Sequence, residues 1–122
     1  MVENELKPVE WVGSSKADLK QFPPAVQDQV GFALYQAQVG LKHRDVKPLK
    51  GFGANVLEVV SRQEGDTYRT VYTIRFKAAI YVLHAFQKKA KQGIATPKQE
   101  LDLIRRRLKA AQEHYADTYG ER

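Results

Sequence analysis

A chain of 122 residues with 43% hydrophobic content is long enough for one core and no more, so it reads as a single domain, 1–122. It has no cysteine, which excludes disulfides, thiolate metal sites and cysteine nucleophiles. The net charge is +6, and no apolar run approaches the length of a membrane span. The start, MVENELKPVEW, does not read as a signal peptide, and the expected setting is cytoplasmic, without membrane contact.

The charge is unevenly spread. Residues 42–91 carry eleven Lys/Arg against four acids, a net +7, whereas residues 1–41 sum to −2 and residues 92–122 to +1. A basic domain of this kind warrants a nucleic-acid reading, against the alternative of a solvated basic face.

In chain order, VEWVG (Val9–Gly13) reads as a short strand. Ser15 is placed to cap a short helix through Asp18, Leu19 and Phe22. Pro23-Pro24 breaks it, and Pro24 suits the first position of a second helix. Val26, Val30, Ala33, Leu34, Ala37 and Leu41 form that helix's apolar stripe. The two helices are expected to form a hairpin on one side of a sheet. Residues 42–55, KHRDVKPLKGFGAN, read as a loop; its lone G-x-G is a weak phosphate-loop signal and suits a bend.

Val56–Arg62 is the second strand. Gln63-Glu64-Gly65-Asp66 turns the chain into a third, Thr67–Phe76, and Ala79–Phe86 is the fourth. Short turns make these an antiparallel meander. Alternation puts Tyr68, Tyr72, Ile74 and Phe76 on one face and Arg69, Val71, Thr73 and Arg75 on the other. A final helix starts at Thr96-Pro97, with Thr96 and Gln99 as a capping box. Its stripe is Leu101, Ile104, Leu108, Ala111 and Tyr115, and Arg105-Arg106-Arg107 fan around it.

Candidate chemistry narrows quickly. His43, His84 and His114 are isolated, Glu58 is the only acid in the three predicted strands of the meander, and no nucleophile elbow is present. No metal and no cofactor are expected. Cation chemistry remains: cleavage of RNA by its own 2′-hydroxyl needs proton transfer and charge stabilisation at phosphorus. Arginine supplies the second, and a lysine among other cations can supply the first. Arg69 and Arg75 on one face, with Lys88, Lys89 and Lys91 leaving the neighbouring strand, fit that need. Arg69 is expected to face solvent, so that its removal leaves stability within about 0.5 kcal/mol. The plainer alternative is that the lysines only solubilise a strand end. His84 shares a predicted face with Ile80, Val82 and Phe86, and either packs inward or meets RNA. Trp11, Tyr68, Tyr72 and Tyr81 either stack on bases or fill the core.

The order and spacing of KPLKGFG, YRTVY, IYVLHAFQKKAK and TPKQE resemble RelE/HigB-type toxins of bacterial toxin–antitoxin modules, in particular the phage-derived RelE-like branch. The likeness spans residues 9–112 and is strongest at Leu83-His84-Ala85-Phe86-x-Lys88-Lys89 and Thr96-Pro97-x-x-Glu100. It implies an α+β RelE/ParE-like fold: an N-terminal helical hairpin on a twisted antiparallel sheet, plus a C-terminal helix. It also implies a metal-independent, ribosome-dependent mRNA interferase, an endoribonuclease held inactive by a helix-turn-helix antitoxin, with the ribosome and mRNA as further partners. By that resemblance Arg69 grips the scissile phosphate, Lys88 and Lys89 are the basic residues of the site, and Lys50 lies near the RNA path. Arg75, Lys91 and His84 complete the expected RNA-binding set. The C-terminal tyrosine or histidine that several relatives place at the scissile bond has no counterpart here, because a full helix starts at Thr96. Tyr115 and Tyr119 lie too far along to be equated with it, which leaves the general acid unassigned. The alternatives are a ParE-like gyrase inhibitor and a non-catalytic RNA- or protein-binding domain.

Overall fold

The computed structural model describes residues 6–88 and 96–120. Five strands form one sheet in the order β1-β5-β4-β3-β2: β1 (Val9–Trp11), β2 (Val46–Pro48), β3 (Val56–Gln63), β4 (Asp66–Thr73) and β5 (Ile80–Lys88). The expected meander is β3-β4-β5, antiparallel throughout, and β1 joins β5 in parallel. Its first turn is fixed by local chemistry. Glu64 and Gly65 both take positive φ, 51° and 87°, the conformation that matches a two-residue turn to the twist of its strands.

Helices cover both faces. α1 (Ser15–Leu19) and α2 (Pro24–Gln38) form the expected hairpin, and Val26, Val30, Ala33, Leu34 and Ala37 pack with Leu57, Val59, Tyr72, Ile80 and Val82. α3 (Lys98–Tyr119) lies on the opposite face, where Ile104, Ala111 and Tyr115 meet Val56, Val71, Tyr81, Leu83 and Phe86. Alternation along each strand therefore feeds two cores, one per face. The tyrosines of the strands belong to those cores: Tyr72 and Tyr81 are fully buried and Tyr68 nearly so. Trp11 is partly buried against the first core.

Several expectations shift. Ser14, not Ser15, precedes α1, and the buried Ser15 hydroxyl donates to the Val82 carbonyl at 3.2 Å, pinning the helix to the sheet. α2 stops at Gln38, so Leu41 falls outside the stripe and is 62% exposed. The segment read as a loop contains β2, whose three residues are too short to show a period. At α3 the N-cap is Pro97, with extended ψ of 149°; its carbonyl accepts from the Glu100 and Leu101 N–H groups and no Thr96–Gln99 capping box forms.

Two irregularities matter most for the site. β4 ends at Thr73, whose hydroxyl donates to the Asn55 carbonyl and accepts from the Arg75 N–H, turning the chain off the sheet. Phe76 then packs with Tyr81 and Tyr115 on the α3 side, opposite the face expected for it. In β5, Val71 pairs with His84 and Tyr72 with Val82, which leaves Leu83 as an extra residue in a bulge. Beyond the bulge the faces swap relative to a strict alternation. Ala85 joins Ile80 and Val82, while His84 and Phe86 turn to α3.

Candidate functional site

The α3 face of the sheet carries the chemistry. Glu58 on β3 and Arg69 on β4 are diagonal neighbours, since Glu58 pairs with Val71 and Arg69 with Val60. Their side chains meet at 2.6 Å between Nη1 and Oε1, with 14% of Arg69 and 6% of Glu58 exposed. Arg69 is thus not the solvent-facing cation expected from alternation. It is a nearly buried ion whose charge is answered by a more deeply buried carboxylate. Its Nε is buried with no hydrogen-bond partner. One more acceptor is needed to satisfy this guanidinium.

Around the pair opens a cleft of about 380 Å³, lined by Lys47, Leu49, Lys50, Thr96 and Leu101 as well as Glu58 and Arg69. Lys47 sits directly across β2–β3 from Glu58 and is exposed. Lys50 follows β2, exposed, on the loop that carries the chain to β3. Lys88 ends β5, opposite Thr67 and on the same face as Arg69. Burial and then the nearby Arg69 and Lys47 charges lower its pKa from 10.5, with Glu58 opposing. A lysine held toward its neutral form beside a fixed guanidinium is the arrangement that cation-only chemistry requires.

His84 is placed beside this cleft but not in it. Buried by the bulge, it stacks on Phe86 with ring centroids 4.6 Å apart, and its Nε2 lies 2.6 Å from Glu100 Oε1. Arg107 Nη1 donates to the Leu83 carbonyl at 2.9 Å and lies 3.5 Å from His84 Nδ1. Arginine can only donate, so Nδ1 is the acceptor there and Nε2 carries the hydrogen given to Glu100. Arg107 Nη2 continues to the Ser14 hydroxyl at 3.2 Å. The array straps α3 to the bulge and to the turn before α1, and so fixes Thr96 and Leu101 at the cleft wall. Gly13 is part of it: its φ is +57°, and a Cβ there would lie 2.9 Å from the Arg107 guanidinium.

Arg69 and Lys50 therefore line one cleft, and Lys88 lies on the same sheet face as Arg69. Arg75 is not among them: it is exposed on the segment after β4 and lines a different cleft. Lys89 and Lys91 lie outside the described residues. Glu58, Lys47, Glu100 and Arg107 had no site role expected from sequence. Glu58 left a signal, a single acid facing the cationic side of a strand pair; the long-range partnership of Glu100 and Arg107 with His84 left none. Among the described residues no group of three His, Asp or Glu is placed to hold a metal ion. No described helix is long and apolar enough to cross a membrane.

A family model described as Phage derived protein Gp49-like (DUF891) matches residues 17–109, most of the chain. Among solved structures, a double-arginine mutant of the E. coli toxin RelE in the free state superposes with a TM-score of 0.60 at 14% identity, covering 85% of this chain and 99% of that one. The RelBE2 toxin–antitoxin complex of Mycobacterium tuberculosis matches with a TM-score of 0.46 at 20% identity, covering 72% and 98%. The first of these shows a shared α+β fold. No curated protein matches.

Proposed function

The chain belongs to the phage-derived Gp49-like family, and from that premise and the Arg69 cleft we propose that it is the toxin of a toxin–antitoxin module, acting as a metal-independent mRNA interferase. The observation that carries the reading is Arg69 held by Glu58 in a cleft lined by Lys47 and Lys50, with Lys88 on the same face of the neighbouring strand. In this reading the substrate phosphate meets the part of the Arg69 side chain that stays open to the cleft. The 2′-oxygen attacks phosphorus, the bond to the 5′-oxygen breaks, and a cyclic phosphate and a 5′-hydroxyl result. Charge accumulates on the non-bridging oxygens as the phosphorane forms, and Arg69, fixed in advance, meets it without reorganising.

Two protons must move, one off the attacking hydroxyl and one onto the leaving oxygen. Lys88, with its lowered pKa, is the base or acid of the pair in this proposal, with Lys89 as its neighbour in sequence. Glu58 orients Arg69 and sets the net charge of the site. Lys50 and Lys47 hold flanking phosphates. The expected partners are an antitoxin of helix-turn-helix type that covers this basic surface, and the ribosome with its message.

The test is induced expression with mapping of transcript 5′ ends, with and without co-expression of a small reading frame adjacent to the gene where one is found. New ends within translated messages, suppressed by the neighbour, support the proposal. Growth arrest with intact messages redirects it to another target such as gyrase. Absence of arrest leaves a binding domain.

A further inference from the structure

A second cleft, of about 500 Å³, opens on the same side of the sheet, lined by Gly51, Phe52, Arg75, Arg105, Leu108 and Lys109 among others. No acid lines it among the described residues. Arg75 and Lys109 take part in none of the described ion pairs. Arg105 shares the exposed Asp102 at 3.3 Å and lies over the Phe52 ring, 4.9 Å from its centroid. Arg105 and Lys109 stand one helical turn apart on α3, where like charges repel.

The two clefts are lined by consecutive residues of one loop. Lys50 lines the first and Gly51 the second. On α3, Leu101 lines the first and Arg105 and Lys109 follow at steps of four, one stripe about 12 Å long. Arg105 and Lys109 are strung along this path, with Arg75 on the cleft's wall. A small anion would need them to converge on one point, with several donors on one group. A guanidinium carried on an aromatic ring is also a surface on which an unpaired base stacks. We infer that the Arg75–Arg105–Lys109 cleft binds the phosphodiester backbone of single-stranded RNA, extending the track that starts at Arg69.

The inference rests on the reading of this chain as acting on RNA, and its test is independent of cleavage. A short, fluorescently labelled 2′-O-methyl RNA has no hydroxyl to attack, so its anisotropy reports binding alone. Affinity is measured between about 50 and 200 mM KCl. Each cation that displaces counterions from a single strand contributes about 0.7 to the slope of log K against log salt. The Arg105→Gln/Lys109→Gln protein is expected to lose about 1.4 from that slope. A Lys20→Gln/Lys42→Gln control removes the same charge from exposed positions near the N-terminal helices and is expected to keep the slope.

Two sources of RNA share this chemistry, the message and the ribosome's own RNA. Slope loss on the oligonucleotide identifies the message strand; slope loss only in binding to vacant ribosomes identifies ribosomal RNA. Either supports the site. Equal slopes for the cleft and control variants, on both ligands, would overturn it. Slope loss in a protein that never cleaves RNA removes the nuclease reading and keeps the cleft, so the two failures are separable.

Discussion

Replacing Arg69 alone should damage the fold more than replacing Arg69 and Glu58 together. At 2.6 Å and an effective dielectric near 20, the attraction between the two charges is on the order of 6 kcal/mol. Removing both groups from water costs several kcal/mol each, so the pair as a whole contributes little net stability. Breaking it is another matter. Glu58, 6% exposed, would stay behind as an unpaired buried carboxylate, and Arg69→Met is expected to cost about 3–5 kcal/mol. Glu58→Leu leaves the less buried partner and should cost less, because Arg69 has a route to the open cleft. Glu58→Leu/Arg69→Met should fall within about 1 kcal/mol of the parent, since two apolar side chains then pack where two ions were. The assay is urea denaturation of all four proteins, comparing midpoints at constant m. An Arg69→Met protein within about 0.5 kcal/mol of the parent, the behaviour of a solvated cation, would refute this reasoning. So would singles that simply add to the double.

The other expectations are narrower. Gly13→Ala should destabilise by at least about 1–2 kcal/mol, since it forces a left-handed backbone on alanine and drives a methyl to 2.9 Å from the Arg107 guanidinium; thermal denaturation of Gly13→Ala beside Gly31→Ala, an open helical site, measures it. Lys88 should titrate below 10.5 and move upward in Arg69→Met, because a like charge is removed, as read by NMR of reductively methylated protein. Since its folded pKa is the lower one, the unfolded chain binds more protons in that window, and this group's contribution to stability rises with pH up to 10.5. Tyr119, hydrogen-bonded to Glu10 at 2.6 Å, and the buried Tyr72 are each raised to about 12. Their folded pKa values lie above the unfolded 10, so the stability they lend is complete below pH 10 and lost between 10 and 12. Ultraviolet titration should show those tyrosines ionising only with unfolding, and Tyr119→Phe should ease that alkaline loss.

What the sequence made legible was whatever depends on local pattern. The α2 stripe from Val26 to Ala37, the Glu64-Gly65 turn and the α3 stripe through Ile104, Ala111 and Tyr115 follow from period and turn chemistry, and the structure has all three. That Lys88 leaves the strand next to Arg69's was legible from chain order, but its sharing a face with Arg69 depends on β5 running on to Lys88. The bulge at Leu83 was not, because an extra residue leaves no trace in composition, yet it decides that His84 meets Glu100 and not the N-terminal helices. Arg75 misled through the same assumption of unbroken alternation, which Thr73 ends. The pairing of Glu58 with Arg69 depends on strand register, fixed by the Glu64-Gly65 turn but not readable as a distance.

The central claim is that the charges of the Arg69 cleft perform the chemistry, and message cleavage on programmed ribosomes tests it most directly. The Glu58→Leu/Arg69→Met protein is the right comparison, because its fold should be retained while the guanidinium is gone. A loss on the order of 100-fold or more in cleavage rate is expected, the scale of a lost transition-state donor. Parental cleavage by that folded, cleft-neutralised protein would contradict it.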